Sequence, residues 1–263
     1  MEKLFIKNRQ GQKICVVVDR VPNQKGIVFV AHGLSGTKDE SHIELFAQTF
    51  VEKEFTAVRF DTTNTFGESD GQYEDATLTG YIHDLEDVIA WARTQEWFVE
   101  PFYLIGHSLG GFSVAWYAEH HSGQVKAVAP ISPVVSGTLS EEAHKKFFPK
   151  RYEEWQETGW RVEERSSKPG TYKRLKWSHM VDRRNHSLLP DATKLTMPVL
   201  LVVGQMDTSI LPTHVAQLHD AIPGNNKTYI VVPGVPHNFR SEKELSELKR
   251  IVGDWIDSVE EVR

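Results

Sequence analysis

Short apolar runs alternate with segments of helical periodicity along most of the chain. The first two runs, residues 4–7 and 13–21, flank a Gln-Gly pair at 10–11 and predict an opening hairpin. Further strand-like runs lie at residues 26–31, 55–60, 102–105, 125–131, 199–203 and 228–232. The later runs are continuous and rich in Val and Ile, which is typical of parallel strands covered on both faces.

Helical segments separate these runs. They lie at residues 43–53, 81–94, 109–120, 214–221 and 241–259. Strands that alternate with helices form a mostly parallel sheet, because each crossover connection carries its helix onto one face of the sheet. The pattern therefore predicts an α/β fold with an eight-stranded, mostly parallel sheet and helices on both faces.

One long segment, residues 134–190, breaks this alternation because it contains no strand-like run. It holds many charges and three of the seven tryptophans. Long structureless loops are uncommon in compact domains, so we expect a folded insertion, or lid, between core segments 1–133 and 191–263. The aromatic side chains of the insertion, Trp155 and Trp160 among them, either line a substrate pocket or build the insertion's own small core.

Composition narrows the class of protein. With 263 residues, 40% of them hydrophobic, the chain is long enough to bury the core of one large domain. Its net charge of -6 is mild and its charges are interspersed, so no nucleic-acid partner is expected. A single cysteine, Cys15, excludes an intrachain disulfide and a thiolate zinc cluster. No histidines show His-Glu-x-x-His spacing, so no metal site is predicted.

The first residues, Met-Glu-Lys-Leu-Phe-Ile, lack the charged and long apolar regions of a secretory signal. No apolar run approaches the length of a membrane span. We therefore expect a soluble cytoplasmic protein without a membrane span. A homodimer is left open, since lid surfaces can mediate dimers and no interface pattern is visible in the sequence.

A Gly-His-Ser-Leu-Gly motif at residues 106–110 lies between a strand-like run and a helical segment. Strand, sharp turn and helix in this order predict a nucleophile elbow, with Ser108 as the nucleophile. Such a turn strains the backbone of the serine, and side chains in place of Gly106 and Gly110 would collide with the neighbouring strand and helix. An ordinary glycine-rich turn is the alternative interpretation.

A nucleophilic serine needs a base, and His237 is the best placed of the twelve histidines. It follows the run at 228–232 and should lie at the carboxyl edge of the sheet, where catalytic groups gather in open α/β sheets. Asp207 follows the run at 199–203 in the equivalent loop and would orient the imidazole; a simple turn aspartate is the alternative. The chain order is nucleophile, acid, base.

Two backbone N–H groups are expected to receive the negative charge that develops on a substrate carbonyl oxygen. One belongs to Leu109, directly after the serine. The other belongs to Leu34, in the His-Gly-Leu-Ser-Gly segment at 32–36 that follows an early strand. Gly33 would let the backbone approach closely, while His32 would brace the loop. A structural glycine turn is the alternative here.

These motifs resemble the α/β-hydrolase superfamily over essentially the whole chain. Within it, the His-Gly-Leu-Ser-Gly-Thr-Lys run at 32–38, Arg-Phe-Asp at 59–61 and Phe-Gly-Glu-Ser-Asp-Gly at 66–71 are similar to the bacterial cinnamoyl and feruloyl esterases. That branch is related to the serine aminopeptidase-like hydrolases. The Gly-His-Gly run common in the family is replaced here by residues 61–67. The resemblance implies an α/β-hydrolase fold, a lid inserted after the sixth strand and ester hydrolysis without a cofactor.

The predicted function is therefore that of a serine esterase acting on a small-molecule ester. His237 would take the proton of Ser108 during attack on the ester, and Asp207 would hold the imidazole in the right tautomer. Aromatic acyl esters such as cinnamates are the narrower expectation, with short aliphatic esters as the broader one.

The candidate substrate contacts lie beside the serine and in the insertion. Gly33 and His107 border the serine in the sequence-based arrangement. Trp155 and Trp160 would stack on an aromatic acyl group or line an apolar slot for short acids.

Three other functions share this scaffold. A peptidase would need a carboxylate for the amino terminus of its substrate, which could come from Glu153, Glu154, Glu157, Glu163 or Glu164. An acyltransferase would keep the acyl-enzyme and exclude water. A non-catalytic interaction protein would usually have lost one of the three catalytic residues, and none is lost here.

Overall fold

The structure, a computed structural model, describes residues 1–165 and 169–261. Residues 166–168 of the expected insertion and residues 262–263 of the expected core lie outside the described residues. Within the described part, the strands form one eight-stranded and one two-stranded sheet. The strands are β1 Glu2–Lys7, β2 Lys13–Asp19, β3 Gly26–Ala31, β4 Phe55–Phe60, β5 Phe102–His107, β6 Val125–Ile131, β7 Trp160–Glu164, β8 Tyr172–Lys176, β9 Val199–Gly204 and β10 Lys227–Val232.

The large sheet has the strand order β1-β2-β4-β3-β5-β6-β9-β10. Strands β1 and β2 form the predicted hairpin, and β2 also pairs antiparallel with β4. All other neighbours in this sheet are parallel. The mostly parallel eight-stranded sheet expected from the sequence is therefore confirmed, and its parallel strands end at one common edge.

Helices cover both faces of this sheet. Helices α1 Ser41–Glu52 and α8 Glu242–Glu261 pack on one face, and α2 Leu78–Ala92, α3 Leu109–His120 and α7 Pro212–Ala221 pack on the other. Helices α4 Gly137–Phe147, α5 Pro149–Thr158 and α6 Ser178–Arg183 lie in the segment between β6 and β9. In β3, Val28 and Val30 belong to the apolar cluster with α1 and α8, while Ile27 and Phe29 belong to the cluster with α2, α3 and α7. Alternate residues of one strand thus face two separate cores. None of the helices in residues 1–165 and 169–261 has the length and apolar character that a bilayer span requires.

The segment between β6 and β9 carries α4, α5, the β7–β8 hairpin and α6. The expectation that it contains no strand was wrong. Strand β7 reads Trp-Arg-Val-Glu-Glu and β8 reads Tyr-Lys-Arg-Leu-Lys, so neither has an apolar run. Across the hairpin, the Lys173 ammonium lies 3.4 Å from the carboxylate of the directly opposite Glu163, and the Arg174 guanidinium stacks on the Trp160 ring.

The insertion has a small apolar core of its own. Trp155, Leu175 and Met180 pack there with Tyr73 and Ala76 from the segment before α2. Trp155 is 1% exposed, and its indole N–H donates to the Leu175 carbonyl at 3.0 Å. Of the two interpretations of the aromatic side chains, the structural one therefore holds for this tryptophan.

Candidate active site

Ser108 lies in a sharp turn between β5 and α3. Its backbone angles, φ 57° and ψ -113°, lie in a region that residues with side chains rarely adopt. A Cβ on Gly106 would lie 2.5 Å from the Gly110 carbonyl oxygen, and one on Gly110 would lie 2.4 Å from the carbonyl oxygen of Ala31. The turn therefore requires both glycines, as the motif predicts, and it holds the serine at the carboxyl end of β5.

The loops after β9 and β10 are bonded to each other. The Gln205 N–H donates to the Val232 carbonyl at 2.9 Å, and the Met206 N–H donates to the Val235 carbonyl at 2.8 Å. These bonds extend the parallel pairing of the two strands beyond the sheet edge. They bring the loop that carries Asp207 beside the loop with the candidate base.

Ser108, Asp207 and His237 form one hydrogen-bonded chain. His237 Nδ1 lies 2.7 Å from Asp207 Oδ2, and His237 Nε2 lies 3.0 Å from Ser108 Oγ. The other oxygen of the buried Asp207 carboxylate accepts from the N–H groups of Ser209 and Ile210, at 2.9 and 2.8 Å. These donors fix the carboxylate, the carboxylate fixes the imidazole, and Nε2 is in position to accept the serine proton.

His107 and His42 lie behind this chain. The His107 Nε2–H donates to the carbonyl oxygen of His237 at 3.0 Å, and the His42 ring meets the His107 ring edge-on at 4.6 Å. Burial lowers the pKa of both groups, that of His42 to about 4. Both are neutral at pH 7, so neither puts a positive charge beside the His237 imidazole.

The loop after β3 lies against the serine. A Cβ on Gly33 would be 3.0 Å from the Ser108 Cβ, so the close approach expected at this glycine is present. The Gly33 carbonyl accepts from Tyr81 Oη at 3.0 Å, from His32 Nδ1 at 2.8 Å and from the Gly36 N–H at 3.0 Å. The predicted bracing role of His32 is therefore seen, while the contribution of Tyr81 was missed.

These three bonds orient the next N–H group. In a planar trans peptide the carbonyl and the following N–H point in opposite directions. Because the Gly33 carbonyl is held toward Tyr81, the Leu34 N–H points away from it, and Leu34 borders the cleft. Leu109 supplies the first N–H of α3. Among the described residues, no acceptor is bonded to the Leu34 or Leu109 N–H.

A cleft of about 400 Å³ opens above the serine, a size suited to a small molecule. Gly33, Leu34 and His107 line it together with Ser108 and His237. Leu109 is buried beneath its floor.

The two tryptophans predicted to contact substrate do not line the cleft. Trp155 is enclosed in the core of the insertion, and Trp160 is stacked against the Arg174 guanidinium at 4.1 Å. The aromatic side chains that border the cleft are Phe66 and Phe148. The prediction for the two tryptophans was wrong because the sequence of the insertion does not indicate which aromatic side chains face the cleft.

The carboxylates considered for binding an amino terminus are poorly suited to it. Glu153, Glu154, Glu157 and Glu164 are exposed and do not line the cleft. Glu163 lines it, but its carboxylate lies 2.6 Å from Arg151 and 3.4 Å from both Arg161 and Lys173. Three cations therefore compete for this carboxylate with any substrate ammonium group.

A group of possible metal ligands, Cys15, Asp61 and Glu68, lies away from the cleft lining. The Lys38 ammonium already lies 3.2 Å from the Asp61 carboxylate and 2.8 Å from the Glu68 carboxylate. Burial also raises the pKa of the Cys15 thiol to about 11, which disfavours a thiolate. The group therefore serves as the partner of an internal ammonium.

Solved structures with the same fold cover nearly the whole chain. Est1E from Butyrivibrio proteoclasticus with ferulic acid bound aligns with a TM-score of 0.78 and 22% identity, over 97% of this chain and 98% of that chain. Alpha/beta hydrolase domain-containing protein 10 from mouse aligns with a TM-score of 0.79 and 20% identity, over 98% and 100%. At these identities the likeness shows the α/β-hydrolase fold.

Sequence comparison identifies the family. An uncharacterised 31.7 kDa protein of the traX-finO intergenic region in Escherichia coli is 25% identical over 229 residues, which are 76% of this chain and 79% of that protein. Residues 22–244 match the profile of the hydrolase family described as serine aminopeptidase, S33. Because that match spans most of the sequence, the chain belongs to the serine aminopeptidase S33 family of α/β-hydrolases.

Proposed function

We propose that this hydrolase cleaves small carboxylic esters through an acyl-enzyme on Ser108. The observation that carries the proposal is the chain of two hydrogen bonds from Asp207 through His237 to Ser108, 2.7 and 3.0 Å long, at a cleft of small-molecule size. Nucleophile, base and orienting acid in hydrogen-bond contact are the requirements for serine-based acyl transfer.

Acylation begins when His237 Nε2 accepts the Ser108 proton as Oγ attacks the ester carbonyl. The carbonyl oxygen becomes negative and is received by the N–H groups of Leu34 and Leu109. When the tetrahedral intermediate collapses, the bond to the alcohol oxygen breaks, and His237 gives its proton to the departing alcohol.

Deacylation repeats these steps with water. His237 takes a proton from water as the water oxygen attacks the acyl carbon, and the bond to Ser108 Oγ then breaks with return of that proton to the serine. Throughout, Asp207 accepts from Nδ1 and stabilises the imidazolium. No cofactor is needed for this cycle.

We also propose that residues 134–190 act as a lid over the site, with residues 1–133 and 191–263 as the core. Side chains from α4, α5, the β7–β8 hairpin and α6 border the cleft, which supports this division. An aromatic acyl group is the narrower form of the proposal. It is supported by Phe66 and Phe148 beside the cleft and by the ferulic acid bound to the structurally similar Est1E.

Hydrolysis of p-nitrophenyl esters from acetate to long chains, beside methyl ferulate, tests the proposal. Ser108→Ala should stay folded and lose at least about a thousandfold in kcat/KM. Ser258→Ala is the matched control, because its hydroxyl donates to the Trp255 carbonyl within α8. Labelling by a fluorophosphonate should require Ser108 as well.

The outcomes separate the alternatives. Turnover that depends on Ser108 and favours short chains or ferulate supports the esterase, and a preference for long chains points to a lipase. Equal turnover by wild type and Ser108→Ala contradicts the proposal. A folded protein that cleaves none of these esters would instead be tested as a peptidase, an acyltransferase or a binding protein.

A further inference from the structure

The cleft is strongly cationic although the chain as a whole has a net charge of -6. Among the described residues, two carboxylates line it, those of Glu40 and Glu163. Six cationic side chains line it as well: Arg151, Arg161, Arg165, Lys173, Arg183 and Arg240. All but the last come from the insertion, so this part of the chain gives the cleft a charge opposite to that of the whole protein.

Arg183 is a buried cation without an acidic partner. It is 5% exposed, and its guanidinium donates to Ser140 Oγ at 2.7 Å and contacts His179 Nε2. Within residues 1–165 and 169–261, its Nε has no hydrogen-bond partner and no carboxylate forms an ion pair with the group. The adjacent Asp182 carboxylate is bonded to Thr79 instead.

Arg183 nevertheless keeps its charge near neutral pH. Burial first, and then repulsion by the Arg161 charge, lower its pKa to about 10. Both guanidinium-bearing side chains line the same cleft. A buried, unpaired charge is costly, and an anion entering the cleft would relieve that cost.

The carboxylates of Glu40 and Glu163 do not neutralise the positive charge of the remaining cationic side chains in the cleft. Glu163 lies within ion-pair distance of Arg151, Arg161 and Lys173, so one negative charge faces three positive ones. Burial disfavours the charged form of the Glu40 carboxyl and raises its pKa. The Nε of Arg161 also lacks a partner among the described residues. The described lining of the cleft therefore holds more cationic side chains than carboxylates.

We propose that the substrate is an ester that also carries a carboxylate or phosphate group, which pairs with Arg161 and Arg183 while the ester bond lies at Ser108. This inference rests on the proposed ester hydrolysis. Guanidinium groups bind both anions through paired N–H donors in a planar fork. The same charges repel the ammonium group that an aminopeptidase must bind.

Pairs of esters that differ only in charge test the proposal. In the first pair the anion lies on the alcohol part of the ester, and 4-acetoxybenzoate is compared with its methyl ester. The compound 4-acetoxyphenyl phosphate tests a phosphate in the same position. With the anion on the acyl group, monomethyl glutarate is compared with dimethyl glutarate. After division by the uncatalysed rates, kcat/KM should be at least about tenfold higher for the anionic member of one pair, mainly through a lower KM.

Variants of the cleft arginines test whether these side chains cause the preference for anionic esters. Arg161→Gln should reduce the ratio of anionic to neutral kcat/KM at least about fivefold, and Arg161→Lys should retain part of it. Arg183→Gln should act in the same direction, but its burial makes Arg161 the primary position. Arg250→Gln is the control because it makes the same charge change on an exposed side chain of α8.

These experiments distinguish failure of the anion proposal from failure of the esterase proposal. If neutral esters are cleaved in a Ser108-dependent reaction and neither anionic form is preferred, the anion proposal is wrong and the esterase proposal stands. If no ester is cleaved and a fluorophosphonate does not label Ser108, the esterase proposal fails. Calorimetry with glutarate and with inorganic phosphate then decides about the anion: binding that weakens in Arg161→Gln supports the proposal, and absence of binding overturns it.

Discussion

The orientation of a single peptide group links α2 to the proposed chemistry. Tyr81 lies on α2, is 2% exposed and donates to the Gly33 carbonyl, which turns the next N–H away from the helix. An N–H group fixed in advance stabilises a developing oxyanion without reorganisation during the reaction. We therefore regard Tyr81 as a positioning residue for the Leu34 N–H.

Tyr81→Phe tests this role. The variant removes one of three donors to the Gly33 carbonyl, so we expect kcat for p-nitrophenyl acetate to fall about three- to tenfold with little change in KM. Tyr229→Phe is the matched control, because Tyr229 donates to the backbone carbonyl of Pro212 rather than to the Gly33 loop. Equal kcat values for the two variants would show that the Tyr81 hydroxyl has only a structural role.

Whether a site residue could be predicted from the sequence depends on whether it directly follows a recognisable strand. Ser108, Asp207 and His237 each follow a clear apolar strand, and parallel strands bring their carboxyl ends together. Tyr81 and Arg183 follow no such rule. Tyr81 looks like any aromatic on an apolar helix face, and Arg183 lies in a short helix whose burial depends on packing against the core.

At the scale of elements, the apolar content of each strand decided whether it could be predicted from the sequence. Strands β3 to β6 are buried along nearly their whole length, and their sequences are mostly apolar. β10 reads in the same way but is half-exposed, because it is the edge strand of the sheet. The β7–β8 hairpin was missed because charged residues are interspersed along both strands and neither strand has an apolar run.

Helix α3 carries a buried, destabilising carboxyl group near its C-terminal end. Glu119 is 2% exposed, and neither carboxyl oxygen has a hydrogen-bond partner in the described part of the chain. Burial first, and then the Asp191 charge, raise its pKa to about 9. The folded protein therefore keeps this group protonated at pH 7, whereas the unfolded chain releases the proton above about pH 4.5.

Glu119→Gln should consequently stabilise the protein at neutral pH. The unfolded state binds fewer protons than the folded state between about pH 4.5 and 9, so wild-type stability falls as the pH rises through that window. The variant removes a cost of about 3 kcal/mol at pH 7 and none at pH 4. Urea unfolding at pH 5 and pH 8.5 measures this, with exposed Glu153→Gln as the charge control. A gain that is equal at both pH values would contradict the assignment.

At the scale of the whole molecule, polar contacts join the insertion to the start of α2 and to the segment before it. The Asp182 carboxylate, at the end of α6, accepts from the Thr79 N–H at 3.1 Å and from the Thr79 hydroxyl at 2.6 Å, at the start of α2. His179 Nδ1 donates to the Ala76 carbonyl at 2.8 Å. The insertion thus contacts the N-terminal end of α2, which also carries Tyr81. The same end of this helix therefore contacts both the insertion and the Gly33 loop.

Asp182→Ala should loosen the insertion while leaving the sheet folded. Partial burial raises the pKa of this carboxyl, but the contacts with His186 and then with Thr79 outweigh that effect and lower the pKa to about 2, so the wild-type contact persists above about pH 3.8 and is lost as the pH falls toward 2. The variant removes the contact at every pH. We expect faster tryptic cleavage within residues 137–183 and a higher KM for the preferred ester, with a change of about 1–3 kcal/mol in the free energy of unfolding. Asp254→Ala, which removes an exposed carboxylate of α8, is the control. Because a rigid insertion would unfold only together with the sheet, unchanged cleavage of Asp182→Ala would show that the insertion does not open independently of the sheet.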